Sequence, residues 1–213
     1  MLAYGVAAGS LDEYVRISES TSRITLMKFT KGVNTKFGAE YLRRPTPDDF
    51  ARLLEFAEEH GFPSIIGSID RMHWEWKNYP SAWKGQYQGR AGVATLVLEA
   101  VADRDLSTCI LSSDTRFVQR PKCSSLISCA TFIHSVTCPQ TRKDKLFAQH
   151  QEGARKDVER AFGKLQSWFA IVRRLSLAWD EEILNDIMLS CIIMHNMIVE
   201  DERDTYAHYT DTT

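Results

Sequence analysis

The spacing of apolar and polar positions predicts helices in the first part of the chain. Ser10 and Glu13 have the spacing of a capping box, and a polar break at residues 18–22 precedes apolar side chains at helical spacing. We therefore expect two helices joined by a tight turn within residues 10–37. Gly38 is expected to end the second helix.

A third helix is predicted from the signals at its two ends. Thr46, Pro47 and Asp49 supply an N-cap residue, a proline at the first helical position and an acid at the third. Gly61 is suited to the C-cap. The helix is thus expected between Pro47 and Gly61.

The first helices allow two interpretations. A short helix, a turn and a longer helix could form a DNA-reading helix-turn-helix, because four basic residues lie on the second helix: Arg23, Lys28, Lys31 and Lys36. A helical cap on the core is the other interpretation. Acidic and basic residues nearly balance over residues 1–60, which weakens the DNA interpretation.

Two buried strands are predicted in the middle of the chain. Residues 63–70 are largely apolar and end on one carboxylate, Asp70, and residues 92–102 are rich in β-branched and aliphatic side chains. A strand that delivers an acid to the edge of a sheet is suited to holding a metal ion. Asp70 is therefore the first candidate site residue.

The stretch between these strands interleaves aromatic and basic side chains. Its members are Trp74, Trp76, Lys77, Tyr79, Trp83, Lys84 and Tyr87. Such a pattern can stack on bases and neutralise phosphates, with Lys77 and Lys84 as nucleic-acid contacts. A loop packed on the sheet by its tryptophans explains the same residues, because indoles bury large apolar areas.

Two helices are predicted towards the end of the chain. Residues 153–174 carry one apolar stripe, with Glu159 at its edge, and residues 181–198 carry a second. The first helix has six basic side chains (Arg155, Lys156, Arg160, Lys164, Arg173 and Arg174) against two acids. Arg155, Lys156 and Arg160 could hold a phosphate backbone, or this could be a solvated helix face. His195 on the last helix is interpreted as a core histidine.

Composition narrows the possibilities only a little. The 213 residues are 44% hydrophobic with a net charge of −2, so any nucleic-acid surface must be local. Five cysteines without a C-x-x-C pair indicate reduced thiols rather than disulfides or a zinc ribbon. No leader and no apolar run of about 20 residues is evident, so we expect a soluble protein with no membrane association.

Three long phrases resemble the plant members of the PIF/Harbinger transposase-derived nucleases, which are DDE superfamily endonucleases. They begin at Gly61 (GFPSIIGSIDRMHWEWKNYPSAWKGQY), at Ala130 (ATFIHSVTCPQTRKDKLFAQHQEGARKDVERAFGKLQSWFAIVRR) and at Leu184 (LNDIMLSCIIMHNMIVEDERD). The segment before them looks like the region that precedes the catalytic domain in these proteins. The likeness covers residues 1–102 and 130–204.

The resemblance implies an α/β fold, an RNase H-like sheet flanked by helices, in which two aspartates and a glutamate hold two divalent cations. Asp70, in GSID, matches the first aspartate, and Glu159, in KDVERAFG, matches the glutamate. Hard carboxylates suit Mg²⁺ or Mn²⁺, and two such ions can activate the nucleophile and stabilise the leaving oxygen of a phosphodiester.

The second aspartate of the family has no counterpart here. Relatives continue after residue 102 with a partner strand and a further strand that carries the aspartate, whereas residues 103–129 show no clear period and match nothing in the family. Position 123, where it is expected, holds a cysteine. Our hypothesis is a deletion or a mis-spliced exon junction, with a frameshift at about 107–128. Asp103, Asp105 and Asp114 are conceivable substitutes.

The loss is expected to weaken both the fold and the activity. Unpaired backbone groups at the exposed sheet edge cost about 1 to 3 kcal/mol each when buried. Two carboxylates also hold two cations poorly. The chain is therefore expected to be a nuclease relative with impaired cleavage, a non-catalytic DNA- or protein-binding protein, or a remnant without function.

The predicted organisation has an N-terminal helical region (1–62), a truncated nuclease domain (63–204) that includes the divergent segment 103–129, and a polar tail (205–213). DNA is the partner that the resemblance implies, together with a separate DNA-binding protein. The nucleus is the expected location, with the cytoplasm as a further one.

Overall fold

A computed structural model gives the structure of this chain as a set of helices around one small sheet. It describes residues 1–11, 15–43, 46–59, 61, 67–78, 95–102, 108–111, 136, 138–174 and 180–210. A 3-10 helix at Ala8–Leu11 precedes α1 (Glu19–Tyr41), α2 (Pro47–Glu59), β1 (Ser68–Glu75), β2 (Thr95–Ala102), β3 (Thr108–Leu111), α3 (Arg142–Trp168), α4 (Ala170–Arg173) and α5 (Glu181–Thr210). Most of the described residues are helical.

The three strands form an antiparallel sheet in the order β1-β2-β3. Asp70 lies opposite Ala100 across the first pair, and Val101 lies opposite Cys109 across the second. The wider RNase H-like sheet that the resemblance implies is not shown within the described residues.

The sheet corrects two predictions. The first strand does not end on Asp70: it continues to Glu75, because Met72 and Trp74 extend its buried face by alternation. Segment 103–129 is not wholly irregular, since its residues Thr108–Leu111 pair with β2. Four residues are too few to show a period in the sequence, and they supply the partner strand that was expected to be missing.

Helix α1 begins where the polar break predicts and ends later than predicted. The Ser18 hydroxyl accepts from the backbone N–H of Thr21 and caps the helix. The helix then runs through Gly38 to Tyr41, so the prediction that Gly38 ends it is wrong. The N–H of Leu42 bonds to the Gly38 carbonyl at 3.0 Å, which continues the helical pattern past the glycine. Of the helix predicted before it, the described residues show the 3-10 turn at Ala8–Leu11 and a helical Val15, and residues 12–14 lie outside the described ranges.

The predicted ends of α2 are confirmed. The Thr46 N–H donates to the Asp49 carboxylate at 2.7 Å, and the Asp49 N–H donates to the Thr46 hydroxyl at 3.2 Å, which completes a capping box. Arg43 also donates to Asp49, and these bonds hold the pKa of Asp49 well below its usual range. Gly61 has φ +80°, the left-handed conformation expected of a C-cap glycine.

Helix α1 is held on α5 by buried polar contacts. The Asn34 side-chain amide donates to the Asp186 backbone carbonyl and carboxylate, both at 3.1 Å. The Ser190 hydroxyl lies 3.0 Å from the Thr30 carbonyl, and the Asn196 amide donates to the Tyr41 carbonyl at 3.1 Å. This packing supports the interpretation of the N-terminal region as a helical cap on the core.

The core lies between β1, α3 and α5. Its buried side chains include Met72, Trp74, Trp76, Val158, Phe162, Leu165, Leu184, Ile187, Cys191 and Ile192. Trp76 is fully buried, and the indole N–H of Trp74 donates to the Arg174 carbonyl at 2.9 Å. For these two tryptophans the base-stacking interpretation is wrong, because their rings fill the core. Tyr79, Trp83, Lys84 and Tyr87 lie outside the described residues.

Helix α5 is longer than predicted, since it continues past 198 to Thr210 and includes residues expected in a polar tail. Its segment Glu181–Glu202 is long and apolar enough, by length and composition alone, to cross a membrane. Half of that segment is buried inside the structure, and a core helix passes the same test. The buried side chains of α5 contact α1 and α3 in the manner of a core helix.

Candidate functional site

Strand β1 lies along helix α3, and two contacts fix their alignment. The Ser68 hydroxyl donates to the Ala154 carbonyl at 2.8 Å. The Gln166 side-chain amide lies 2.9 Å from the Met72 sulfur. Four strand residues rise about 13 Å, and twelve helix residues rise about 18 Å. The two elements therefore run in the same direction and stay in contact over this length.

Asp70 is midway between the two contacts. Side chains alternate along a strand, so Asp70 shares the face of Ser68, Met72 and Trp74, which is the face that packs on α3. Its side chain is partly exposed, whereas Met72 and Trp74 are buried. The carboxylate therefore stands at the rim of the core.

Glu159 occupies the matching position on α3. It lies near the middle of the interval from Ala154 to Gln166, and Gln166 is two turns further along the same side of the helix. Its side chain is exposed. The structure thus brings the two predicted acids to facing positions on strand and helix, while their catalytic and metal-binding roles stay predictions.

An arginine of the chain stands at this pair of acids. Arg155 donates to Glu159 at 3.1 Å, one turn away on α3. The pKa of the Arg155 guanidinium is raised, first by this hydrogen bond and then by the charges of Glu152, Glu159 and Asp70. Arg155 is therefore the hydrogen-bonded partner of Glu159, and the charge of Asp70 also acts on it. The i, i+4 spacing of Arg155 and Glu159 is the signal in the sequence that indicates this contact.

Another acid of α3, Asp157, lies on the side of the helix away from the strand. It is buried and pairs with Arg160 at 3.0 Å. Its side of the helix continues with Lys164, which bonds to Glu202 of α5 at 2.9 Å, and Trp168, whose ring lies 5.2 Å from that of His195. His195 is fully buried on α5, as expected of a core histidine. Asp157 thus belongs to the packing of α3 on α5.

The basic residues predicted to contact nucleic acid have different surroundings. Lys77 is exposed in the turn after β1, and Lys156 is exposed on α3. Arg155 and Arg160 are each paired with an acid of the same helix, so the count of six basic residues over 153–174 overstates the free positive charge of that stretch. Lys84 lies outside the described residues.

The described residues do not fit a two-cation centre. Carboxylate oxygens are suitable ligands for Mg²⁺ or Mn²⁺. Within the described ranges, however, no group of three histidine, cysteine or acidic side chains is arranged to hold a metal ion. Asp103, Asp105 and Asp114 are outside those ranges. At Glu159 the nearest cation is a guanidinium.

Residues 39–112 and 126–206 match a protein-family model described as a plant transposon protein. These two segments make up most of the chain and include β1, β2, β3, α3 and the greater part of α5. The chain belongs to the plant transposon protein family. It matches no curated protein and no solved structure.

The family match changes the boundaries inferred from the resemblance. It extends through β3 to residue 112 and resumes at 126, so the unmatched stretch is shorter than the predicted divergent segment 103–129. It also begins at residue 39, within α1. Both candidate acids of this plant transposon protein, Asp70 and Glu159, lie inside the matched segments.

Proposed function

We propose that the chain derives from a PIF/Harbinger transposase of the DDE nuclease type, and that it binds DNA without cleaving it efficiently. Membership of the plant transposon protein family supports the origin. The resemblance of the GSID and KDVERAFG phrases supports the more specific class. Asp70 and Glu159 are the two acids of the triad that remain, on an RNase H-like scaffold.

One observation supports the proposed loss of DNA cleavage. The two acids lie at facing positions on strand and helix, but Glu159 is already hydrogen-bonded to Arg155, and the described residues supply no third ligand. Two-metal cleavage needs ions bound on both sides of the scissile phosphodiester, and a pair of carboxylates that already has a guanidinium partner is a poor ligand set for them.

Binding of DNA would depend on exposed basic side chains. Lys77 follows β1 and Lys156 lies on α3, so both belong to the two elements that form the site. We propose DNA as the partner, with a separate DNA-binding protein for target choice, and the nucleus as the location. Mg²⁺ or Mn²⁺ is the ion that a restored site would take.

The test combines plasmid nicking with DNA binding. The unsubstituted chain is incubated with supercoiled plasmid and Mg²⁺ or Mn²⁺, beside Asp70→Asn and Glu159→Gln. We expect binding that falls steeply with salt, because counterions are released from phosphates, and no metal-dependent nicking above that of the two variants.

Two results would contradict the proposal. Metal-dependent nicking that both substitutions abolish would show an active nuclease whose third ligand comes from elsewhere in the chain. A folded chain that neither binds nor nicks DNA would favour a remnant of a decayed element.

A further inference from the structure

We propose that Arg155 is the resident counter-ion of the Asp70–Glu159 pair and takes the place that a divalent cation holds in an active site of this type. The inference rests on the proposed function, because it concerns the same two acids. It goes further by assigning to one residue the reason why metal binding is weak.

The geometry of the ion pair supports this role. The Arg155 guanidinium donates to Glu159 at 3.1 Å, from the preceding turn of the same helix. Ala154, the neighbour of Arg155, accepts the hydroxyl of Ser68 at 2.8 Å, so Arg155 is anchored where β1 meets α3. Asp70 is two residues from Ser68, on the same face of the strand.

The charges around Arg155 explain why the two acids favour its guanidinium over a divalent cation. Arg155 is hydrogen-bonded to Glu159, and the negative charges of Glu152, Glu159 and Asp70 all raise the pKa of its guanidinium. A divalent cation entering between Asp70 and Glu159 would meet this positive charge at close range. It would also have to compete for a Glu159 oxygen that already accepts a hydrogen bond. Metal binding and the Arg155 contact therefore oppose each other.

The pair is exposed enough to be removed without unfolding the chain. The side chains of Arg155 and Glu159 are 60% and 45% exposed, and exposed ion pairs add little to stability. Replacing Arg155 should consequently change the charge at the site while leaving the core intact. This makes metal affinity a direct measure of the proposed role.

The experiment measures Mn²⁺ binding to the full chain by the loss of the free-ion paramagnetic resonance signal. In Arg155→Gln we expect Mn²⁺ affinity to rise by about three- to tenfold, as expected for removing one nearby positive charge at a partly exposed site. Arg160→Gln is the matched control, because Arg160 pairs with Asp157 on the side of α3 that faces α5. It should leave Mn²⁺ affinity unchanged.

A second measurement uses heat. Millimolar Mn²⁺ should raise the melting temperature of Arg155→Gln more than that of the unsubstituted chain, because at a given concentration a ligand that binds the folded state more tightly stabilises it more. The gain in both measurements should disappear in the double variant Arg155→Gln/Glu159→Gln. That dependence assigns the bound ion to this pair of acids.

Unchanged or weaker Mn²⁺ binding in Arg155→Gln would overturn the inference. If the chain still binds plasmid without nicking it, the proposed function stands and only the role of Arg155 fails. If the unsubstituted chain nicks plasmid in a metal-dependent way, the proposed function fails as well. An equal gain in Arg160→Gln would show a general charge effect and would also overturn the inference.

Discussion

Two acids on opposite sides of helix α3, Asp157 and Glu159, differ in what surrounds them. Asp157 is buried towards α5, where Lys164 bonds to Glu202 and the Trp168 ring packs at a tilt against His195. Glu159 is exposed towards β1, where Asp70 faces it and Arg155 is its partner. Both acids lie on α3, within the segment that matches the family model.

This difference teaches which acid is part of the packing and which is available for chemistry. A buried carboxylate needs its hydrogen bonds to offset desolvation, so its partner is a structural requirement. An exposed carboxylate has no such need, and its position opposite another acid costs stability unless a cation is present. The following predictions separate the two sides.

The largest effect is expected from Leu165→Ala. Leu165 is 1% exposed and lies in the core that supports both sides of α3. Its truncation should lower the free energy of unfolding by about 2 to 5 kcal/mol. Urea denaturation followed by circular dichroism measures this, and a loss below about 1 kcal/mol would show that α3 is not packed as described.

Substitutions of Asp157 and Glu159 should have smaller effects on the free energy of unfolding, and the two effects should differ in size. Asp157→Ala should cost about 1 to 2 kcal/mol, because it removes a buried charge-assisted hydrogen bond. Glu159→Ala should change stability by less than about 0.5 kcal/mol, as for other exposed ion pairs. The same denaturation measurement applies to both, and equal costs would break the distinction between the two sides.

Lys156 tests whether the exposed surface of α3 contacts DNA. Lys156→Gln should weaken plasmid binding a few-fold and reduce the slope of log affinity against log salt by about one, as expected when one phosphate contact is lost. Fluorescence anisotropy across a salt series measures the slope. An unchanged slope would place the DNA on another surface.

The smallest effect is expected from Lys164→Gln. The Lys164–Glu202 pair joins α3 to α5 but is 39% and 44% exposed, so its removal should cost no more than about 0.5 kcal/mol, and less at high salt. Thermal melts at low and high salt measure this. A larger, salt-independent loss would mean that this pair, and not the apolar contacts, holds α3 on α5.

The sequence predicted those elements whose signals are local. The capping box of Thr46 and Asp49 gave the start of α2, and the apolar stripe through Val158 and Leu165 gave the buried side of α3. In both cases the residues that carry the pattern also make the contacts. The strand predicted at 92–102 is seen at Thr95–Ala102, and residues 92–94 lie outside the described residues.

The predictions failed where distant contacts decide the structure. Helix α1 continues past Gly38 because its packing on α5 outweighs the cost of one glycine. Trp74 and Trp76 resemble a nucleic-acid surface in the sequence, but both are buried in the core, Trp74 on β1 and Trp76 directly after it. Asp70 and Glu159 come to facing positions because β1 is aligned with α3, and this alignment depends on contacts between residues far apart in the sequence.

The contacts between α1 and α5 have a consequence for how the chain can be shortened. Asn34, Thr30 and Tyr41 bond to three residues spread over three turns of α5. A chain that began at residue 63 would therefore leave Ser190 and Asp186 without these partners and expose an apolar helix to water. Such a fragment should aggregate, because the N-terminal region covers one side of the last helix.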